Sequence, residues 1–239
     1  MGALWGSLGA ISIGTSDFFS RRLAIASSAF TAAFIMQLIA VLASLVTMTF
    51  VTSEITAADS FWGALSGIGM FVGLASYLEG LRRSSATIMS PTTATLAAII
   101  PFIYTLVRGD QVRTIAIIGA AIALVGLVLI AVGTGKTVAA GTGLFWGTVS
   151  GVGYGFAIAV LLEVSDEAGV WPAVPQRLSA AAFLAVACVV SKSAFVPPAG
   201  LRMTGLFAGV LGGFSSVFLL IGLAVDAAPT VITQSMFLP

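Results

Sequence analysis

Two carboxylates, one arginine and a run of hydroxyls are the residues whose types and spacing could do chemistry, because the 239-residue sequence has no histidine and a single cysteine, Cys188. Asp17 and Glu79 lie near the ends of apolar stretches. A carboxylate withdrawn from water binds a proton more readily, so either acid could couple proton movement to the movement of a solute. Both also have a plainer reading. Asp17 stands four residues before Arg21, and Glu79 stands three and four before Arg82 and Arg83, the spacing of salt bridges along a helix surface. Arg177 is solitary in the run from Ala168 to Ser191, and Gln37 is the solitary polar group at the corresponding place earlier in the chain. A guanidinium there either grips a carboxylate-bearing substrate or snorkels to the membrane surface from a helix start at Pro172–Pro175.

The hydroxyls fall in the uncharged stretch SSATIMSPTTATLAAIIPFIYTLV between Arg83 and Arg108. Pro91 and Pro101 each remove a backbone donor and crowd the carbonyl one turn back, so a helix here is expected to kink or unwind. In lipid such a helix must face protein or water, which makes Ser90, Pro91, Thr92, Thr93 and Thr95 candidates for lining a polar path. Alternatively the hydroxyls bond back to their own helix. Other chemistry is poorly provided for. The segment Gly133-Thr134-Gly135-Lys136-Thr137 imitates the end of a phosphate-binding loop, but Ile130 stands where the first glycine is required. Neither a His-Glu zinc motif nor a GxSxG elbow is present, so neither enzymatic activity nor a cofactor or metal is expected.

The elements that must position these residues are membrane helices. Hydrophobic residues make up 59% of the chain and charged residues 8%, against about 25% charged in a soluble domain. A net charge of +1 gives no reason to expect a nucleic-acid partner. Each charge is costly at mid-bilayer and marks the end of a span, and a crossing needs roughly 20 residues. Spans are therefore expected near 3–20, 29–51, 61–81, 85–107, 113–133, 143–163, 173–192 and 204–225, with a ninth beginning near 229. The fold class is all-α integral membrane. The expected partners are the lipid bilayer, a small-molecule substrate and a homodimer mate, and the expected location is the plasma membrane.

The sequence also repeats. Trp5-Gly6-Ser7 followed by Gly14 recurs as Trp146-Gly147-Thr148 followed by Gly155, displaced by 141, and Gly63, Gly67, Gly80 and Leu81 recur as Gly205, Gly209, Gly222 and Leu223, displaced by 142. Five spans fill one copy, and an odd number makes the second copy enter from the opposite side. The boundaries are 1–135 for the first copy and 141–239 for the second. On this register Pro239 maps near Ala97, so the second copy is incomplete in its fourth helix, with about 8–9 spans present of an expected 10 and the chain read as a fragment or a truncated product. A competing register pairs Pro91-Thr92 with Pro229-Thr230, but it needs a four-residue slip after Leu223. Through the repeat, Thr230, Thr233 and Gln234 join the hydroxyls of span four as path candidates.

The stretch LEGLRRSSATIMSPTTATLAAIIPFIYTLVRGDQVRTIAIIGAAIALVGLVLIAVG, with the WGS and WGT openings, resembles EamA-type transporters of the drug/metabolite transporter superfamily. Gly109-Asp110 stands where that family usually has Gly-Glu. The resemblance implies ten helices in two inverted fives, moving a small metabolite or drug by alternating access without ATP. A non-transporting assembly or sensory subunit on the same bundle is the alternative. The glycine stripes Gly147/Gly151/Gly155, Gly63/Gly67 and Gly205/Gly209 are expected to let helices approach closely in lipid.

Overall fold

A computed structural model describes residues 1–84, 86–109 and 138–235, together with 117–119, 121, 122, 125, 126 and 129. The core of the expected fifth span at 113–133, the Asp110 half of its turn, the 133–137 loop, the first-copy boundary at 135 and the chain end at Pro239 lie wholly or mostly outside the described residues. The described residues form helices α1 (Gly2–Ala26), α2 (Ala29–Met48), α3 (Ala57–Arg83), α4 (Ala86–Arg108), α5 (Val138–Leu161), α6 (Ala173–Val190) and α7 (Arg202–Ser235), with short 3-10 turns at Asp166–Ala168 and Ala199–Leu201.

Six stretches are long and apolar enough to cross a membrane: Ala29–Met48, Ala57–Arg83, Ala86–Arg108, Ala140–Leu161, Ala173–Val190 and Ala199–Asp226. This is an all-α, multi-pass membrane protein. Helix α1, expected as the first span, does not meet that measure; it carries Asp17, Arg21 and Arg22 within its 25 residues. Large apolar side chains such as Leu42, Val46, Val186, Val189 and Phe207 stand exposed on the outside of the bundle, a surface suited to hydrocarbon and unfavourable in water.

Local sequence sets where the helices start and stop. Ser28 caps α2 by accepting from the Thr31 amide at 3.0 Å, and Thr56 caps α3 by accepting from the Asp59 amide at 3.0 Å. Pro91 and Pro101 sit inside α4, which continues through both as helix. The backbone instead breaks in α7, at Asp226 (φ −166°, ψ 98°), three residues before Pro229. A proline ring collides with the carbonyl four residues back, and opening the chain at Asp226 relieves that collision at Val225. The expected eighth and ninth spans are thus the two arms of one broken helix.

Glycine governs the packing. A β-carbon on Gly153 of α5 would lie 2.5 Å from the Gly73 nitrogen of α3, so these two backbones touch only because neither residue has a side chain. Gly147, Gly151 and Gly155 face α4, Gly63 and Gly67 face α6, and Gly209 faces Met36 and Ile39 of α2. The three stripes are helix contacts, as expected.

A polar knot ties one end of the bundle. Asp59 accepts from the Ser165 amide and the Ser165 hydroxyl, each at 2.9 Å, the Glu54 amide donates to the Glu167 carbonyl at 2.9 Å, and the Trp171 indole donates to Ser60 at 2.8 Å. At the other end the corresponding loops share a hydrogen bond from Thr31 to the Ala194 carbonyl, 2.6 Å long, and the Phe34–Phe195 ring contact.

Candidate functional site

All seven helices contribute to a cavity of about 100 Å³ at the centre of the bundle. Its walls are mostly apolar, with Ile13, Met36, Leu74, Ile158 and Leu219 among them, and its polar groups are Tyr154, Gln176, Arg177, Ser215, Ser216 and Gln234.

Arg177 is the charge on that wall and is only 5% exposed. Its helix starts at Pro172–Ala173, and one turn in, the side chain turns inward rather than back to the surface. Nη1 donates to Gln37 Oε1 at 2.7 Å and lies 3.8 Å from the Met70 sulfur; Nη2 donates to the Gly212 carbonyl at 2.7 Å and to the Ser216 hydroxyl. The snorkelling reading is therefore overturned: neutral oxygens on α2 and α7 hold the guanidinium inside. Gln37 and Arg177, matched in the sequence as corresponding positions, are in direct contact. Gln176 beside them donates to Ser66 at 2.6 Å.

The two candidate acids separate. Glu79 accepts from Arg82 at 2.7 Å and from Arg83 at 2.5 Å, the surface pairs expected from its spacing. Asp17 has the same spacing to Arg21, but it is 2% exposed and one of its oxygens, Oδ2, has no hydrogen-bond partner. Tyr77, wholly buried, lies beside Asp17 and 3.1 Å from the Ser90 hydroxyl. Tyr77 packs edge-on against Tyr154, with centroids 6.5 Å apart, and Tyr154 lines the cavity. An unbroken set of contacts therefore runs from Asp17 to the cavity.

The hydroxyls behave in different ways. Thr92 bonds back to the Ile88 carbonyl at 2.8 Å, Thr230 to Asp226 at 2.6 Å and Thr233 to Pro229 at 2.7 Å. Thr93 reaches across to the Gly147 carbonyl at 3.3 Å, which ties α4 to α5. Ser90, Thr92 and Thr93 are fully buried, and Pro91 and Thr95 are half-buried. Of the residues singled out in the sequence, Gln234 and Arg177 line the cavity itself, with Ala97 as the contribution of α4. Gln234 donates to Ser215 at 3.2 Å while its carbonyl oxygen is unpartnered. Sequence reading passed over Tyr77, Tyr154, Ser215 and Ser216. The only available signal was their polarity inside apolar runs, which many packing residues share.

The cavity thus joins an apolar lining from α1 to α4 with polar groups from α5, α6 and α7. The model of the EamA-like transporter family matches residues 1–132. The chain belongs to the EamA-like transporter family. Members of this family are membrane transporters rather than enzymes, which fits the helices, the cavity and the resemblance seen in the sequence. No curated protein matches the chain.

Proposed function

We propose that this EamA-like chain is a secondary transporter of the plasma membrane, carrying a small metabolite or drug through the central cavity by alternating access between two inverted five-helix repeats, with a proton on Asp17 as the coupling ion. The observation that carries the coupling is the buried Asp17 with Oδ2 unpartnered. Burying a carboxylate charge without a cation costs several kcal/mol, and taking up a proton removes that charge. Tyr77 and Ser90 join this acid to α4, so its protonation state bears on how α4 and α1 sit against α3. Glu79, neutralised by two arginines at the surface, has no need of a proton and is assigned no coupling role.

The inverted repeat draws support from contacts that occur twice. Ser16 donates to the Ala208 carbonyl at 2.7 Å, and Ser66 donates to the Ala157 carbonyl at 2.8 Å. Ser16 and Ala157 are 141 apart, and Ser66 and Ala208 are 142 apart, so one junction recurs with donor and acceptor exchanged. Gly6 abuts the Thr230 backbone and the Thr233 side chain, and Gly147 abuts the Met89 backbone and the Thr92 side chain, again with a displacement of 141. That agreement favours the ungapped register over the pairing of Pro91 with Pro229. The Asp59 knot ties loops at one end of the bundle, a contact that alternating access would have to release when that end opens.

The test uses vesicles containing the chain and an interior pH dye, with metabolites screened for solute-triggered proton entry. A solute that moves protons with the native chain and with Glu79→Gln, and not with Asp17→Asn, supports the reading. Retention of proton movement by Asp17→Asn overturns the coupling assignment.

A further inference from the structure

Arg177 is a buried cation without an anion. Its four contacts, Gln37, Met70, Gly212 and Ser216, are all neutral, and no acidic residue pairs with it among the described residues. A guanidinium held in this way keeps its full charge in an apolar surround, an arrangement normally completed by a counter-charge. Two donors beside it are also unfilled, Arg177 Nε and Gln37 Nε2. Because Arg177 donates to the Gln37 carbonyl oxygen, the Gln37 amide must present its NH₂ group elsewhere. Of these two residues only Arg177 lines the cavity, and its uncompensated positive charge there suits a carboxylate.

The rest of the chamber limits what that carboxylate can be attached to. Met36, Leu74, Ile158 and Leu219 give it hydrocarbon walls, which suit a carbon body and penalise a bare inorganic ion. Its volume of about 100 Å³ is smaller than the roughly 150 Å³ cavity that accommodates benzene. We infer that the cavity binds a small aliphatic monocarboxylate, its carboxylate against the uncompensated charge of Arg177 and its carbon chain against the apolar wall. This rests on the transporter reading for its purpose and not for its test, because binding is read without flux.

The experiment measures thermal unfolding of the chain in lipid nanodiscs with propionate, isobutyrate, isovalerate and their isosteric amides, alongside sodium chloride and inorganic phosphate. The expected result is a saturable rise in Tm of several degrees with at least one carboxylate and none with its amide. Arg177→Gln abolishes the rise, Arg177→Lys keeps a weaker one, and Gln37→Leu, which removes the acceptor that holds Arg177 Nη1, weakens the apparent affinity about tenfold by loosening the guanidinium. Equal stabilisation by the amides, stabilisation by chloride or phosphate alone, no rise with any carboxylate, or a full response in Arg177→Gln each overturns the inference. If Arg177→Gln fails to fold, the carboxylate-to-amide ratio of the native chain and the Gln37→Leu shift decide the matter. Binding without solute-driven proton entry would count against the transporter reading alone.

Discussion

Asp17 and Glu79 have nearly the same local sequence, each an acid followed at helical spacing by arginine, and they end in opposite circumstances. Glu79 sits in the last turns of α3, where Arg82 and Arg83 fold back onto it at the bundle surface. Asp17 is two turns from the end of α1, on the face that packs against α3 and α7, so Arg21 four residues on does not reach its unpartnered oxygen. Spacing along a helix decides which side chains are neighbours; it does not decide which face of that helix is buried. The same motif therefore yields an inert ion pair in one place and an isolated buried acid in the other.

The comparison can be broken most directly at Asp17. Asp17→Asn is expected to lower solute-triggered proton entry at least tenfold in the vesicle assay while leaving Tm unchanged or raised, because an amide removes the buried charge and keeps the shape. A large fall in Tm with coupling intact would make Asp17 a structural acid like Asp59. A third acid, Asp59, is the next test, since it is tied by hydrogen bonds rather than by arginine. Asp59→Ala removes the acceptor of the Ser165 amide and hydroxyl and is expected to cost about 1–3 kcal/mol of stability, read by thermal unfolding, and to expose a cysteine placed at Ser165 to water-soluble thiol reagents. Tyr77→Phe removes the hydroxyl between Asp17 and Ser90; its expected cost is about 1 kcal/mol, with a slowed proton entry that distinguishes it from a packing defect. Glu79→Gln should do least, within about 1 kcal/mol, as exposed helix ion pairs are screened by water and salt. A coupling defect in Glu79→Gln equal to that of Asp17→Asn would erase the distinction.

Much of this fold was legible from charge placement. Glu79 with Arg82, and Arg108 at the end of α4, mark helix ends because a charge is costly in hydrocarbon, and the six membrane-length stretches fall within about five residues of the spans expected from charge placement. The break before Pro229 was anticipated as a gap between spans, and the persistence of α4 through Pro91 and Pro101 was not. The site was legible in part. Gln37 and Arg177 stood out as solitary polar residues, and their separation of 140 in the chain hinted that they occupy corresponding places. That they touch, and that Arg177 points inward from α6, depends on how α2 and α6 cross.

By itself, then, the sequence determined the solvent, the helices and the family, since hydrophobicity and charge act locally and sum along the chain. Only the tertiary structure decided which acid lost its arginine, which arginine lost its anion, and that ends of the chain 140 residues apart meet around one cavity. Those outcomes follow from burial, and burial is a property of neighbouring helices rather than of any one segment.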